Sequence, residues 1–363
     1  MTSRFPSSKL GVQPLGHSTR KMCYVTANPS LARTRRLIGT IRQLVAPRLV
    51  TVWPLRYSPL GFNIESAVKL SSLSIKGLRN TDLVIMEITA MMPFPYLFKT
   101  MILDYSTPLS AEVFYLHRDE WFRRIMERSE KSLVKHARIV IVSNQMMAER
   151  CKQLGARRIV HLPNFPNKSF QPTIDRDTWR KDHTVPLESK VALFTAGWRL
   201  KEIYGLDLLL ESWRIIEKCV ENSYLVIVGP RPQGEMSIAE LTMEISRFQL
   251  KRVILAGWQG EASLANWIHS ADVCLAPRTP GFPSKWYNDQ DSTKISEYAA
   301  LSKPIVATGY SPSHQYLLVR QNHEAFSEGI LKAFEDKVGH AKPHFWEENE
   351  EKILRGITSA LPD

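Results

Sequence analysis

The stretch Lys190-Val-Ala-Leu-Phe-Thr-Ala196-Gly197-Trp198-Arg199-Leu200-Lys201-Glu-Ile-Tyr204-Gly205-Leu-Asp-Leu-Leu-Leu210 carries the reading of the fold. Val191 to Ala196 is a short apolar run ended by glycine, the length of a buried strand. Beyond a basic turn, Leu206, Leu209, Leu210, Trp213 and Ile216 recur at helical spacing, so a helix follows. Strand, turn and helix form half of a parallel crossover unit, and the pattern continues. Further strands are expected at Tyr224 to Val228, Arg252 to Ala256, Val273 to Ala276 and Pro304 to Thr308, with helices over Ile238 to Leu250, Ser263 to Ser270 and Thr293 to Ser302. Right-handed crossovers then give a doubly wound α/β sheet.

The scheme repeats upstream, with strands expected at Cys23 to Thr26, Leu49 to Val52, Leu83 to Met86, Thr100 to Asp104, Ile139 to Val142 and Ile159 to Leu162. A chain of 363 residues is too long for one ordinary core, which agrees with two units. The segment Pro163 to Pro186 is polar and holds Pro163, Pro166, Pro172 and Pro186, so the linker and hinge are placed there. The expected division is a disordered tail at 1–20, a Rossmann-like domain at 21–166, a second at 167–344, and a final helix in 345–363 packing back on the first domain. Two sheets across a cleft place ligand at the carboxyl ends of their strands.

Charge is divided unevenly. Residues 1–170 hold 26 Lys and Arg against 10 Asp and Glu, a net charge of +16, and the remainder carries −4. Such a field suits an anionic membrane, a phosphorylated lipid or nucleic acid, or is a solvated face. The most apolar stretch, Leu83 to Phe98, contains Glu87, Pro93 and Pro95, so no spanning helix is expected. The first twenty residues lack an apolar segment, and a cytoplasmic protein follows. Cys23, Cys151, Cys219 and Cys274 are far apart without a C-x-x-C pair, which predicts free thiols rather than zinc or disulfides.

Two loops carry candidate chemistry. The basic turn around Arg199 and Lys201, between a strand end and a helix start at Tyr204 and Gly205, can hold a diphosphate or be a solvated loop. In Asp289-Gln-Asp-Ser292-Thr293-Lys294-Ile-Ser-Glu297, Asp291 or Ser292 can cap a helix whose free N–H groups and Lys294 face an anion. Glu297, one turn in, is either a ribose ligand or an exposed helical acid.

The blocks Trp198 to Leu210, Leu225 to Gly229, Val253 to Gly257, Ala271 to Pro277 and Lys294 to Thr308, in this order, resemble the family-4 glycosyltransferases of the GT-B fold. Leu162 to Asn164 and Phe345-Trp346-Glu347 are similar to weaker landmarks of that family. The resemblance implies retaining transfer from a nucleotide-sugar bound by the C-terminal domain, with no cofactor and no catalytic metal. It assigns Arg199 to the leaving diphosphate together with Ser292, Thr293 and Lys294, Glu297 to the ribose, Gly257 to the donor site, and Asp289 to the sugar. Asp104, with His117 as the alternative, falls where the family carries its acceptor-side His or Asp.

Departures accompany the likeness. The usual Lys before the glycine that opens the first helix is Tyr204, with Lys201 the expected substitute; Asp289 replaces a Glu; and the glycine-rich loop is replaced by Ala27-Asn28-Pro29-Ser30, with Asn28, Arg33, Arg35 and Arg36 expected to take over part of its work. The leading expectation is a hexosyl transfer to a lipid-phosphate-linked or other glycan acceptor, with the protein peripheral at the inner membrane face. A catalytically silent membrane or nucleic-acid binding subunit and a nucleotide-sugar epimerase are the alternatives, and nucleic acid is the less favoured partner. The expected membrane face is Arg118, Arg123, Arg124, Arg128, Lys131 and Lys135 beside Trp121 and Phe122. Trp53, Trp121, Trp198 and Trp258 are read as core or cleft packing.

Overall fold

The computed structural model describes residues 21–26, 32–44, 48–51, 81–88, 98, 100–111, 119–197, 199–232, 236–281 and 292–360. The expectations at 1–20, Asn28, Trp53, His117, Arg118, Trp198 and Asp289 lie outside these residues.

Among the described residues, the first domain holds six parallel strands in the order β2-β1-β3-β4-β5-β6: β1 Met22–Thr26, β2 Arg48–Thr51, β3 Leu83–Glu87, β4 Met101–Tyr105, β5 Ile139–Val142 and β6 Ile159–His161. Alternate residues feed two cores, as the two-residue period of a strand dictates. Cys23, Val25, Val84, Met86, Val140 and Val142 pack against α2 (Glu120–His136) and α3 (Gln145–Leu154). On the other face, Tyr24, Ile85, Ile102 and Ile141 pack with Leu37 and Ile41 of α1 (Ala32–Ile41). Asp119 and Asn144 accept from backbone N–H groups at the starts of α2 and α3, which fixes where those helices begin.

The second sheet runs β12-β11-β10-β7-β8-β9, also parallel, from β7 Lys190–Thr195, β8 Ser223–Val228, β9 Val253–Gly257, β10 Val273–Ala276, β11 Ile305–Thr308 and β12 Leu317–Val319. The edge strand β12 gives no signal in the sequence, because three residues are too few to show periodicity. Phe194, Ile227 and Leu275 pack against α5 (Leu206–Cys219), α6 (Ile238–Arg247) and α9 (His323–Phe334). Leu193, Val226 and Cys274 pack against α4 (Arg176–Asp182), α7 (Glu261–Ser270) and α8 (Thr293–Ala300).

Helix α4 corrects the linker. Trp179 is buried between His183, 4.2 Å away between ring centroids, and Trp267, at 4.8 Å. Arg180 is fully buried, donates to the Leu187 and Ser189 carbonyls and pairs with Asp272 at 2.9 Å. Residues from Phe170 onward therefore belong to the second domain's core. A seven-residue polar helix with one tryptophan has no apolar period, and only its packing partners reveal it. The chain crosses back after His344: Trp346 Nε1 donates to Thr40 Oγ1 at 2.9 Å, and Ile353 and Ile357 of α10 (Glu350–Thr358) join the core beside α1.

Candidate active site

Lys294 lies in the first turn of α8, 7% exposed, and its Nζ has no hydrogen-bond partner. The ammonium is 3.9 Å from the Tyr204 ring centroid and 4.5 Å from that of Phe194. Arg278, beyond the end of β10, stacks at 5.4 Å on Tyr204 and 4.5 Å on Tyr310. Aromatic faces soften the burial of a cation but do not replace an anion. Burial, with Arg278 adding repulsion, holds the Lys294 pKa well below its ordinary value. Tyr298 pins this helix to the end of β7, its hydroxyl accepting from the Thr195 N–H at 2.9 Å. Ser292, at the N-terminus of this helix, makes no side-chain capping bond.

Glu297 is buried one turn further on. Burial pushes its carboxyl up to about 7, against the pull of Arg36 and Lys294 and with the push of Glu261. Glu261, the first residue of α7, reaches across to the first domain and pairs with Arg36 at 2.7 Å and Arg35 at 3.0 Å. Its burial works against the charge, yet the two arginines keep its pKa below the ordinary value. Arg36 is buried, with Nε and Nη1 unpartnered.

The loop after β7 is built for close approach. Arg199 has φ +53°, in the left-handed region, and its carbonyl accepts from the N–H groups of Ile203 (2.9 Å) and Tyr204 (3.2 Å). Gly205 has φ +58°, and a Cβ there would meet the Arg278 backbone at 2.9 Å, so only glycine brings α5 this close to the β10 loop. Lys201 is engaged elsewhere, on Glu244 of α6, and the ammonium over Tyr204 is that of Lys294. Gly257 ends β9 at φ +64°, and a Cβ there would meet no described atom within 4 Å. The adjacent Trp258 is half exposed under the Arg231 guanidinium, 4.8 Å from its ring.

Across the cleft, Asp104 lies at the end of β4 and is fully buried. Arg33 forks onto it, from Nη2 at 2.7 Å and Nε at 3.0 Å, and its Nη1 donates to Asn164 Oδ1 and the Leu162 carbonyl. Arg33 thereby ties Asp104 to the first crossing between domains. In register beside Asp104 is Glu87, which accepts from Thr26 Oγ1. Burial and these two carboxylates raise the Tyr24 hydroxyl pKa well above its ordinary value. Glu87, Arg278 and Glu261 escape a reading of the sequence; Glu87 and Glu261 are acids at element ends, and Arg278 follows Pro277 at a strand end. Among the described residues no group of three or more His, Cys, Asp or Glu could hold a metal ion.

Residues 189–336, within the second domain, match the family model described as glycosyl transferases group 1. No curated protein sequence matches the chain. Among solved structures, sucrose-phosphate synthase from Thermosynechococcus elongatus superposes with a TM-score of 0.68 at 15% identity, over 94% of each chain. HepE of Anabaena, in complex with UDP and glucose, gives 0.68 at 15% identity over 94% of this chain and all of that one. UDP-GlcNAc 2-epimerase from Neisseria meningitidis, bound to UDP-GlcNAc, gives 0.62 at 11% identity over 93% of this chain and 99% of that one. The fold is therefore GT-B, two Rossmann-like domains facing each other, and the match to the group 1 glycosyl transferase model falls within its second domain.

Proposed function

We propose that this chain transfers a hexosyl group, with retention and without a metal, from a nucleotide-sugar to a lipid-phosphate-linked or other glycan acceptor, peripheral to an anionic membrane. The observation that carries the donor side is the buried, unpartnered Lys294 ammonium beside Arg278 at the N-terminus of α8. Two cations at a helix N-terminus form a ready site for a diphosphate. As the glycosidic bond breaks, negative charge grows on the departing diphosphate, and Lys294, Arg278 and Arg199 stabilise that charge more than they stabilise the intact donor. Glu297 accepts from the ribose hydroxyls. Asp104, oriented by Arg33, faces the acceptor from the first domain.

The likeness to an epimerase bound to UDP-GlcNAc supports a second reading, nucleotide-sugar epimerisation, on the same donor site. Thermal shift against nucleoside diphosphates and their sugars, with Lys294→Met alongside, tests the shared step. A selective rise of several degrees for wild type, lost in Lys294→Met, is expected. No shift with any nucleotide overturns both readings. NMR of the sugar product in the presence of chelator then separates them: a free or transferred hexose of unchanged configuration supports transfer, and an inverted ring carbon supports epimerisation.

A further inference from the structure

On the side of α8 away from Lys294, a cavity of about 110 Å³ lies where both interdomain crossings meet the helix. Phe165 of the first crossing and His344 of the second stack as one wall, ring centroids 5.2 Å apart and 20° from parallel. Ile295 and Ala299 supply an apolar floor. Ser296 lines it too, 3% exposed, and its hydroxyl has no hydrogen-bond partner.

That hydroxyl is unlike its counterparts. Ser212, Ser246 and Ser327, also within helices, donate to the carbonyl four residues back at 2.7, 2.9 and 2.6 Å. Ser296 forgoes this bond, and a buried hydroxyl without a partner costs stability unless a ligand supplies one. The remaining polar lining is Gln315, whose Oε1 accepts from the Lys342 N–H at 2.9 Å, with His314 and His344. Among the described residues, no lysine, arginine or carboxylate lines the cavity.

We propose that this cavity binds the pyranose ring of an uncharged sugar, at a site separate from the donor site. Hydroxyl, amide and imidazole groups together offer both donors and acceptors, which is what a ring of hydroxyls requires. The stacked rings and the alanine floor suit the C–H face of the sugar. A phosphate would find no lysine or arginine among these lining residues, and a purely apolar ligand would leave Ser296 unsatisfied. Because both crossings form the walls, an occupied cavity also holds the two domains in one relative setting.

Ligand-observed saturation-transfer NMR with methyl glycosides of glucose, galactose, mannose and N-acetylglucosamine, followed by titration calorimetry, tests the proposal. At least one glycoside should bind the wild-type chain. Ala299→Leu, which fills the cavity, and Ser296→Val, which removes the hydroxyl, should each weaken it tenfold or more while the melting temperature stays near wild type. Phe165→Ala replaces any variant that fails to fold. Lys294→Met should leave glycoside affinity unchanged, so failure of the nucleotide reading does not decide this one. Absence of binding by every glycoside, or binding indifferent to Ala299→Leu and Ser296→Val, overturns it.

Discussion

Lys294 and Glu297 are three residues apart on one turn, and burial moves both from their ordinary pKa, Lys294 downward and Glu297 upward. For Glu297 the unfolded carboxyl ionises near 4.5 and the folded one near 7, so the folded state binds more protons between these values. Its favourable contribution is present below about pH 4.5 and is lost as pH rises through about 7. Glu297→Gln removes that loss. The ligand-free variant is therefore expected to exceed wild type in stability at pH 8 by on the order of 1–3 kcal/mol, with the gap closing toward pH 5. Urea titrations at both pH values measure it, and an equal or greater stability of wild type at pH 8 would contradict the burial argument. The same substitution should weaken nucleotide binding at pH 8, as expected of a residue kept for a ligand at a cost in stability.

At the scale of elements, α2 bears on where the protein works. No helix among the described residues is long and apolar enough to cross a membrane. On α2, Phe122, Met126, Leu133 and Val134 face the core, so Phe122 does not join the exposed face expected from sequence. Arg123 turns aside to Glu120 and Glu127, at 2.5 and 2.9 Å. Trp121, 60% exposed, Arg124, which pairs with Glu120 at 3.2 Å, and Arg128, Lys131 and Lys135 lie within an arc of about 80° at helical spacing. An aromatic ring and four cations on one face suit an anionic leaflet, at roughly 1 kcal/mol per basic residue. Liposome flotation should recover the protein with anionic vesicles at low salt and release it at high salt. Reversing Arg124, Arg128 and Lys131 to Glu should abolish recovery; equal recovery with neutral vesicles would remove the membrane from the account.

The two domains meet through Arg36 and Glu261, an ion pair nearly buried on the arginine side and about one-third exposed on the other. Glu261→Gln leaves the Arg36 charge without its carboxylate. A loss of about 1–2 kcal/mol is expected, less than for a fully buried pair because solvent reaches Glu261, together with a larger radius of gyration in solution scattering as the cleft opens. Unchanged values in both would show that the pair does not hold the cleft. The parallel sheets are legible in the sequence because buried parallel strands are short apolar runs, and runs such as Val191 to Thr195 and Val273 to Ala276 depend on local composition alone. The strand-end loop at Arg199 and the helix from Thr293 are legible for the same reason, since turn and periodicity are local. Which charges meet is a matter of tertiary structure. Lys201 and Lys294 read alike in sequence, yet packing commits one to Glu244 and leaves the other unpartnered over Tyr204. Arg33 reaches Asp104 from 71 residues away, and Arg36 reaches Glu261 from 225. Strands and helices are written into the chain by signals a few residues long; pairing and burial arise only when distant elements pack together.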